Sequence, residues 1–154
     1  MDKLLVRPVR PEFKANVWGI FAHHHYLTTE LSRSAYCWAV TSADGEMVAF
    51  TSVLPMPSGT LKDAWREHRT VVLPDYQGMG IGALIGDMLG EMHLAEGKRL
   101  YSRTTHPRLA RYRLASPKWR TTENNARRRQ ETWTNAGKYD TERVAFSFEY
   151  LGGP

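Results

Sequence analysis

The sequence predicts an α/β sandwich around a mixed sheet, and three observations carry that prediction. Apolar positions with a period of two alternate along the chain with stretches of period near 3.6, as they must where strands and helices pack on one another. A helical stripe, Ile81, Leu84, Ile85, Met88, Leu89 and Met92, follows a short apolar strand across a glycine-dense loop. The 154 residues are 42% hydrophobic, which suits one domain over residues 1–154 that buries roughly two thirds of its unfolded surface.

Residues 4–9 read as a first strand, ended by Pro8 and Pro11, and residues 12–22 as an amphipathic helix carrying Phe13, Val17, Ile20 and Phe21. A turn containing His23, His24 and His25 follows, then a short helix over residues 31–35. Residues 36–41 and 47–54 are strands flanking Ala43-Asp44-Gly45-Glu46, a hairpin signal. Beyond a Pro/Ser/Gly loop over residues 55–60 come a strand at 67–73, the glycine loop, the striped helix with Gly97 as its stop, and a strand at 100–104. Pro107 opens a helix to residue 115, which ends before Ser116-Pro117 because proline disfavours helical geometry in the residue before it. Residues 121–140 are a basic and polar loop excursion, and residues 143–151, with Val144, Phe146, Phe148 and Tyr150 alternating, are a final strand.

Composition narrows the class. Twenty-one basic and 16 acidic residues leave a formal charge of +5 and a pI near 9.5. The excess lies late, in Arg103, Arg108, Arg111, Arg113, Lys118, Arg120, Arg127, Arg128 and Arg129, with Tyr112, Trp119 and Trp133 interleaved. Such a mixture either tracks phosphates and stacks bases or forms a solvated basic surface that steers an anionic ligand. Cys37 is the single cysteine, so no internal disulfide forms, and its apolar neighbours point to a buried thiol. No apolar stretch approaches membrane-spanning length and Met1-Asp2-Lys3-Leu4-Leu5-Val6-Arg7 lacks the shape of a signal peptide, so a cytoplasmic protein with no membrane partner is expected.

The most specific signal is Val71-Val72-Leu73-Pro74-Asp75-Tyr76-Gln77-Gly78-Met79-Gly80-Ile81-Gly82. Glycines at 78, 80 and 82 let the loop turn its N–H groups inward, and the helix opening near Ile81 adds unpaired donors and the positive end of its dipole. A diphosphate fits such a cradle. No Gly-Lys-Ser/Thr follows, which excludes the Walker pattern, and the chain is short for a two-halved dinucleotide fold.

Gln77-Gly78-Met79-Gly80-Ile81-Gly82, preceded by Val72-Leu73-Pro74, resembles the Q/R-x-x-G-x-G/A segment of the GNAT acyltransferase superfamily, and the resemblance extends over about residues 4–120. It implies a mixed, largely antiparallel sheet flanked by helices and N-acylation of an amine by acetyl-CoA or another acyl-CoA. In that family the segment holds the coenzyme A pyrophosphate. Gln77, Gly78, Met79, Gly80, Ile81 and Gly82 would supply that contact, and the main chain of Val71, Val72 and Leu73 would pair with the pantetheine arm. A homodimer would suit the family.

The resemblance also implies a tyrosine, on the helix after the fifth strand, that protonates the leaving thiolate. Tyr112 is the tyrosine available there, although the usual Asn-x-x-Ala is replaced by His106-Pro107-Arg108-Leu109 and the usual tyrosine slot holds Arg113. His106 is an alternative contact for the coenzyme. For a general base the candidates are Glu67 and His68, whose side chains point to opposite faces so that at most one serves directly. Three consecutive histidines cannot all bind one metal; His25, Tyr26 and a distant carboxylate are the oxygen/nitrogen set to weigh against a simple helix C-terminus, and no metal ligand is assigned.

A narrower resemblance joins His24-His25-Tyr26, Leu31-Ser32-Arg33-Ser34, Tyr36-Cys37-Trp38 and Tyr101-Ser102-Arg103-Thr104, which are similar to short pieces of the Mom-like phage DNA-modification enzymes. It implies carbamoylmethylation of adenine N6 as protection from restriction, with His25, Tyr26 and Ser102 in the active site and iron as the metal. The full coenzyme A cradle departs from that pattern. The leading expectation is therefore an acyl-CoA dependent N-acyltransferase acting on an amine, with a nucleic-acid base as acceptor and Tyr112, Glu67, His25, Tyr26 and Ser102 as the catalytic candidates. The rivals are a Mom-like modifier that uses no thioester and a non-catalytic basic protein that holds DNA or another partner.

Overall fold

A computed structural model describes residues 3–25, 28–122, 127–128 and 144–153. Strands β1 (Leu5–Pro8), β2 (Tyr36–Thr41), β3 (Met47–Pro55), β4 (Ala64–Val72), β5 (Arg99–Thr104), β6 (Trp119–Thr121), β7 (Arg127–Arg128) and β8 (Val144–Tyr150) accompany helices α1 (Lys14–Phe21), α2 (Ile81–Ala95) and α3 (Pro107–Ala115). The sheet order is β1-β2-β3-β4-β5-β8-β6, with β7 also paired to β8. All these pairings are antiparallel except β4 with β5, so the sheet is mixed and largely antiparallel as expected.

Each face of the sheet has its own core. Trp18, Phe21, Cys37, Phe50, Leu54 and Val71 pack under α1, while Val40, Val48, Ile81, Ile85, Leu89, Leu100, Phe148 and Tyr150 pack under α2. Burial pushes the Cys37 thiol up to about 11, which fits an inert core sulfur. Among the described residues no helix is long and apolar enough to cross a membrane.

Several expectations shift in the structure. Residues 31–35 form no helix: Ser32 Oγ accepts the Ser34 N–H at 3.2 Å and its carbonyl accepts that of Ala35, local bonds that favour a turn over a helical ladder. The expected strand at 67–73 begins earlier, at Ala64, and the short β6 lies just after Pro117. Most of the 121–140 excursion lies outside the described residues. Of the α2 stripe, Leu84 is 61% exposed, and the helix buries Asp87 and His93 instead. Helix α2 ends as Gly97 predicts: at φ 73° it lets Lys98 N–H reach the His93 carbonyl at 2.8 Å and its own N–H reach that of Leu94 at 3.0 Å.

One junction organises the rest. Pairing of β4 with β5 covers Ala64–Arg66 against Arg99–Tyr101, and beyond that the strands part. A bulge between Thr51 and Val53 bends β4 against β3, and the Ser52 hydroxyl bonds both the N–H and the C=O of Arg69, each at 2.9 Å, so the bulge keeps its hydrogen bonds.

Helix α2 approaches the sheet closely because of its glycines. A Cβ at Gly90 would stand 2.2 Å from ring carbons of Tyr150, whereas one at Gly19 in α1 meets nothing within 4 Å. Gly90→Ala should therefore overpack the core and cost roughly 1–3 kcal/mol. Gly19→Ala, gaining helix propensity, should stabilise by up to about 1 kcal/mol. Paired thermal melts check both signs; a Gly90→Ala melt at or above the parent would contradict the packing.

Candidate active site

The glycine loop forms as its residue types require. Gly78 has φ 84° and Gly80, the N-cap of α2, has φ 77°, both left-handed and costly for residues with a Cβ. No side chain caps α2, so its first-turn N–H groups take no side-chain cap, and a Cβ at Gly78 or Gly80 would meet nothing within 4 Å. That is the form of an anion cradle on a 15-residue helix.

The strand before it corrects one expectation. Leu73 N–H donates to the Val48 carbonyl at 2.9 Å, so by the alternation of an antiparallel ladder Val71 and Leu73 turn their main-chain groups toward β3, and Val72 turns its own toward the opening beside β5. The Val72 carbonyl already accepts the Gln77 side-chain amide at 2.9 Å. An extended ligand arm running into the opening would thus meet Val72, while Val71 contributes its side chain to the α1 core.

Where β4 and β5 part, three side chains meet. Arg113 of α3, 1% exposed, donates through Nη2 to Glu67 Oε1 and Oε2 at 3.0 and 3.1 Å and through Nη1 to Ser102 Oγ, whose hydroxyl donates to Glu67 Oε2 at 2.8 Å. The Trp119 ring lies 4.2 Å from the guanidinium carbon. Arg113 Nε is the buried side-chain polar atom that lacks a partner among the described residues. Gly86 makes the space: a Cβ there would stand 2.5 Å from Arg113 Nη2 and 3.1 Å from Glu67 Oε1.

Tyr112, one residue earlier on α3, points elsewhere. Its hydroxyl donates to Asp87 Oδ2 at 2.5 Å, and Trp119 Nε1 donates to Asp87 Oδ1 at 2.7 Å. The Asp87 carboxylate raises the phenol above its ordinary range, so it stays protonated. The structure thus sets Tyr112 between α2 and α3 and brings Arg113 to the strand opening. His106 caps α3, its Nδ1 accepting the Leu109 N–H at 3.4 Å.

A cleft of about 870 Å³ opens beside this junction, lined by Glu67 and Ser102 and also by His25 and His68. Glu67 faces α3, and His68 faces the other side of β4, where its Nε2 accepts the Ser32 N–H at 3.0 Å. His25 Nδ1 accepts the Thr28 N–H at 3.2 Å. Burial first, then nearby Arg69, brings His25 down to about 4; His68 falls equally far from burial, Arg69, Arg66 and His25. Both rings are neutral at pH 7. Tyr26 lies outside the described residues, and among those described no cluster of three His, Cys, Asp or Glu side chains is placed to hold a metal ion.

The residues that sequence reading did not single out are Asp87, Gly86 and the arginines of β4. The signal for the first two was present: Gly82, Gly86 and Gly90 recur every four residues, a smooth face on α2 onto which bulky side chains from other elements settle.

The acetyltransferase (GNAT) family model matches residues 7–115, more than half the chain. No curated protein matches it by sequence. Among solved structures, the ribosomal-protein-S18-alanine N-acetyltransferase from Escherichia coli is similar with a TM-score of 0.66 at 14% identity, covering 99% of this chain and 96% of that one. A GNAT family acetyltransferase from Elizabethkingia anophelis with acetyl-CoA bound gives 0.64 at 12% identity, with 98% and 97% covered. A chimeric spermidine N-acetyltransferase from Vibrio cholerae SpeG and hSSAT gives 0.67 at 9%, with 97% and 96% covered.

Two outcomes follow from this geometry. Gly80→Asp keeps a residue that tolerates the left-handed conformation, at about 1–2 kcal/mol of strain, but sets a carboxylate on the donors that a diphosphate needs; coenzyme A affinity by calorimetry should fall at least about tenfold, and unchanged affinity would place the ligand elsewhere. The second concerns acid. With His25 and His68 at about 4 when folded against 6.5 unfolded, the unfolded chain binds more protons between those values, so their contribution is whole above about 6.5 and is lost as pH falls toward about 4. His68→Gln, whose amide oxygen can still accept the Ser32 N–H, should flatten the fall in melting temperature between pH 7 and 5; an equally steep fall would show that His68 plays no part in it.

Proposed function

The chain belongs to the GNAT acetyltransferase family, and from that premise we propose that this acyltransferase moves an acyl group from acetyl-CoA or another acyl-CoA to an exocyclic amine of a nucleic-acid base. The observation that carries the acceptor is that both cleft histidines are weak bases and that Glu67 is already engaged by Arg113. Both Glu67 oxygens accept from the buried Arg113, and His25 and His68 are too acidic as imidazoliums to hold a proton at neutral pH. An alkylamine arrives as an ammonium ion and needs a base before it can attack. An exocyclic base amine arrives neutral.

Acyl-CoA supplies the thioester carbonyl that the amine attacks, the carbon–nitrogen bond forming as the carbon–sulfur bond breaks and the amine proton ending on the thiol. The chain's share is to bind and orient. In this reading the N–H groups of Gly78, Met79, Gly80, Ile81 and Gly82 hold the diphosphate, and Val72 offers its main chain to the arm that follows. Glu67, Ser102 and His25, which share the cleft, position the acceptor, and Tyr26 is assigned from the resemblance alone. Tyr112, held by Asp87, serves the packing of α2 on α3. By its name the chimeric spermidine enzyme acts on a polyamine. Here both cleft carboxylates are already paired with arginine, which disfavours a polycation.

His25 and Ser102 lining one cleft supports a second reading, carbamoylmethylation of adenine N6 in DNA, with iron entering only there. One experiment separates the two. Purified protein is incubated with acetyl-CoA and single- or double-stranded DNA, free thiol is measured, and nucleosides are resolved by mass spectrometry, in parallel with DNA from expressing cells carrying the parent chain or Tyr26→Phe. Thiol release matched by an acylated base supports the first reading, and a carbamoylmethyl increment without thiol supports the second. Thiol release on small amines with unaltered nucleosides would overturn both.

A further inference from the structure

The cleft is basic, and the late arginine run supplies only part of that charge. Five arginines line it, Arg66 and Arg69 from β4, Arg99 and Arg103 from β5, and Arg120 from β6, against two acids, Glu67 and Glu149. Both acids are neutralised in place. Glu67 is paired with Arg113, which does not line the cleft, and Glu149 accepts from Arg99 at 2.9 Å and from Arg120 at 2.6 Å. Arg66, exposed on β4, forms no ion pair among the described residues.

Geometry gives this charge a direction. In β5 the alternation of a strand puts Arg99, Tyr101 and Arg103 on one face, and Arg66 stands opposite Tyr101 in the parallel register, so arginines flank the place where β4 and β5 begin to part. The same cavity reaches Glu67 and Ser102 at the junction. Its volume, about 870 Å³, suits a nucleotide-sized ligand. Burial first, then Arg69, and Arg66 for His68, keeps both cleft histidines neutral, so they add no charge of their own at pH 7.

We propose that Arg66 and Arg103 hold a phosphate of the acceptor, so that the substrate is a phosphate-bearing molecule whose amine lies toward Glu67 and Ser102; this rests on the transferase reading above. A guanidinium on each side of the strand opening matches a phosphate, which offers several acceptor oxygens and a charge that neither cleft carboxylate can replace. A nucleoside monophosphate and a nucleic-acid strand share that chemistry.

The test is equilibrium binding to the full chain saturated with coenzyme A, so that the ligand's own phosphates are accounted for. The probes are adenosine and cytidine, their 5′-monophosphates, and a short single-stranded oligonucleotide. The monophosphates should bind about tenfold more tightly than the nucleosides. Arg66→Gln and Arg103→Gln, both at exposed positions, should each remove most of that preference while coenzyme A affinity stays unchanged. If the strand is the natural source, the oligonucleotide should bind more tightly still, and its salt dependence should fall by about one charge for each arginine replaced. Equal binding of nucleoside and monophosphate, or a preference that survives both substitutions, overturns the proposal. Loss of coenzyme A binding in the parent, or failure to release thiol, would sink the transferase reading and leave the phosphate comparison to be judged by itself.

Discussion

A guanidinium buried at the parting of two strands sets what the rest of this molecule can be. Removing Arg113 and Glu67 from water costs several kcal/mol per ion, and the loss is offset only where the pair is close and its other groups are bonded. Two contacts to Glu67, one to Ser102 and the face of Trp119 meet most of that demand, with Nε left over. The cluster joins β4, β5, β6 and α3, and Gly86 of α2 yields the room it needs. The cluster sits where the pairing of β4 with β5 ends, and Ser102 donating to Glu67 ties the two strands together there.

The pair also decides the chemistry available nearby. Glu67 is engaged through both oxygens by the buried guanidinium, and the two histidines of the cleft lose their basicity to burial and to neighbouring arginines. What remains is a cavity lined by five arginines and two carboxylates already paired with arginine. The glycine loop has a different logic. There the backbone does the work, through glycines with left-handed φ and a helix end that no side chain caps.

The parts that were legible without a structure are local. Pro107 and Ser116-Pro117 bracket a helix that runs over Pro107–Ala115, and Asp44-Gly45 turns the hairpin with Gly45 at φ 89°. The glycine loop was legible for the same reason, since its conformation is demanded by residues next to one another. Where the reading went astray, a longer-range contact won. Leu84 follows the helical period yet faces solvent, because α2 turns its glycines and Ile81, Ile85 and Leu89 to the sheet. Residues 31–35 form a turn in place of the expected helix, the Ser32 N–H held by His68 Nε2, 36 residues on, beside serine bonds to the local backbone.

The order of strand, glycine turn and helix is determined by the sequence alone, because torsional limits and hydrophobic period act over a few residues. Which neighbour on α3 enters the strand opening was decided only by tertiary structure. Tyr112 and Arg113 differ by about 100° around the helix, and their partners, Asp87 and Glu67, lie 25 and 46 residues away in the chain. No local rule spans that distance; the choice follows from the angle at which α3 packs on α2 and from the hole that Gly86 leaves, a meeting of surfaces that exists only once the chain has folded.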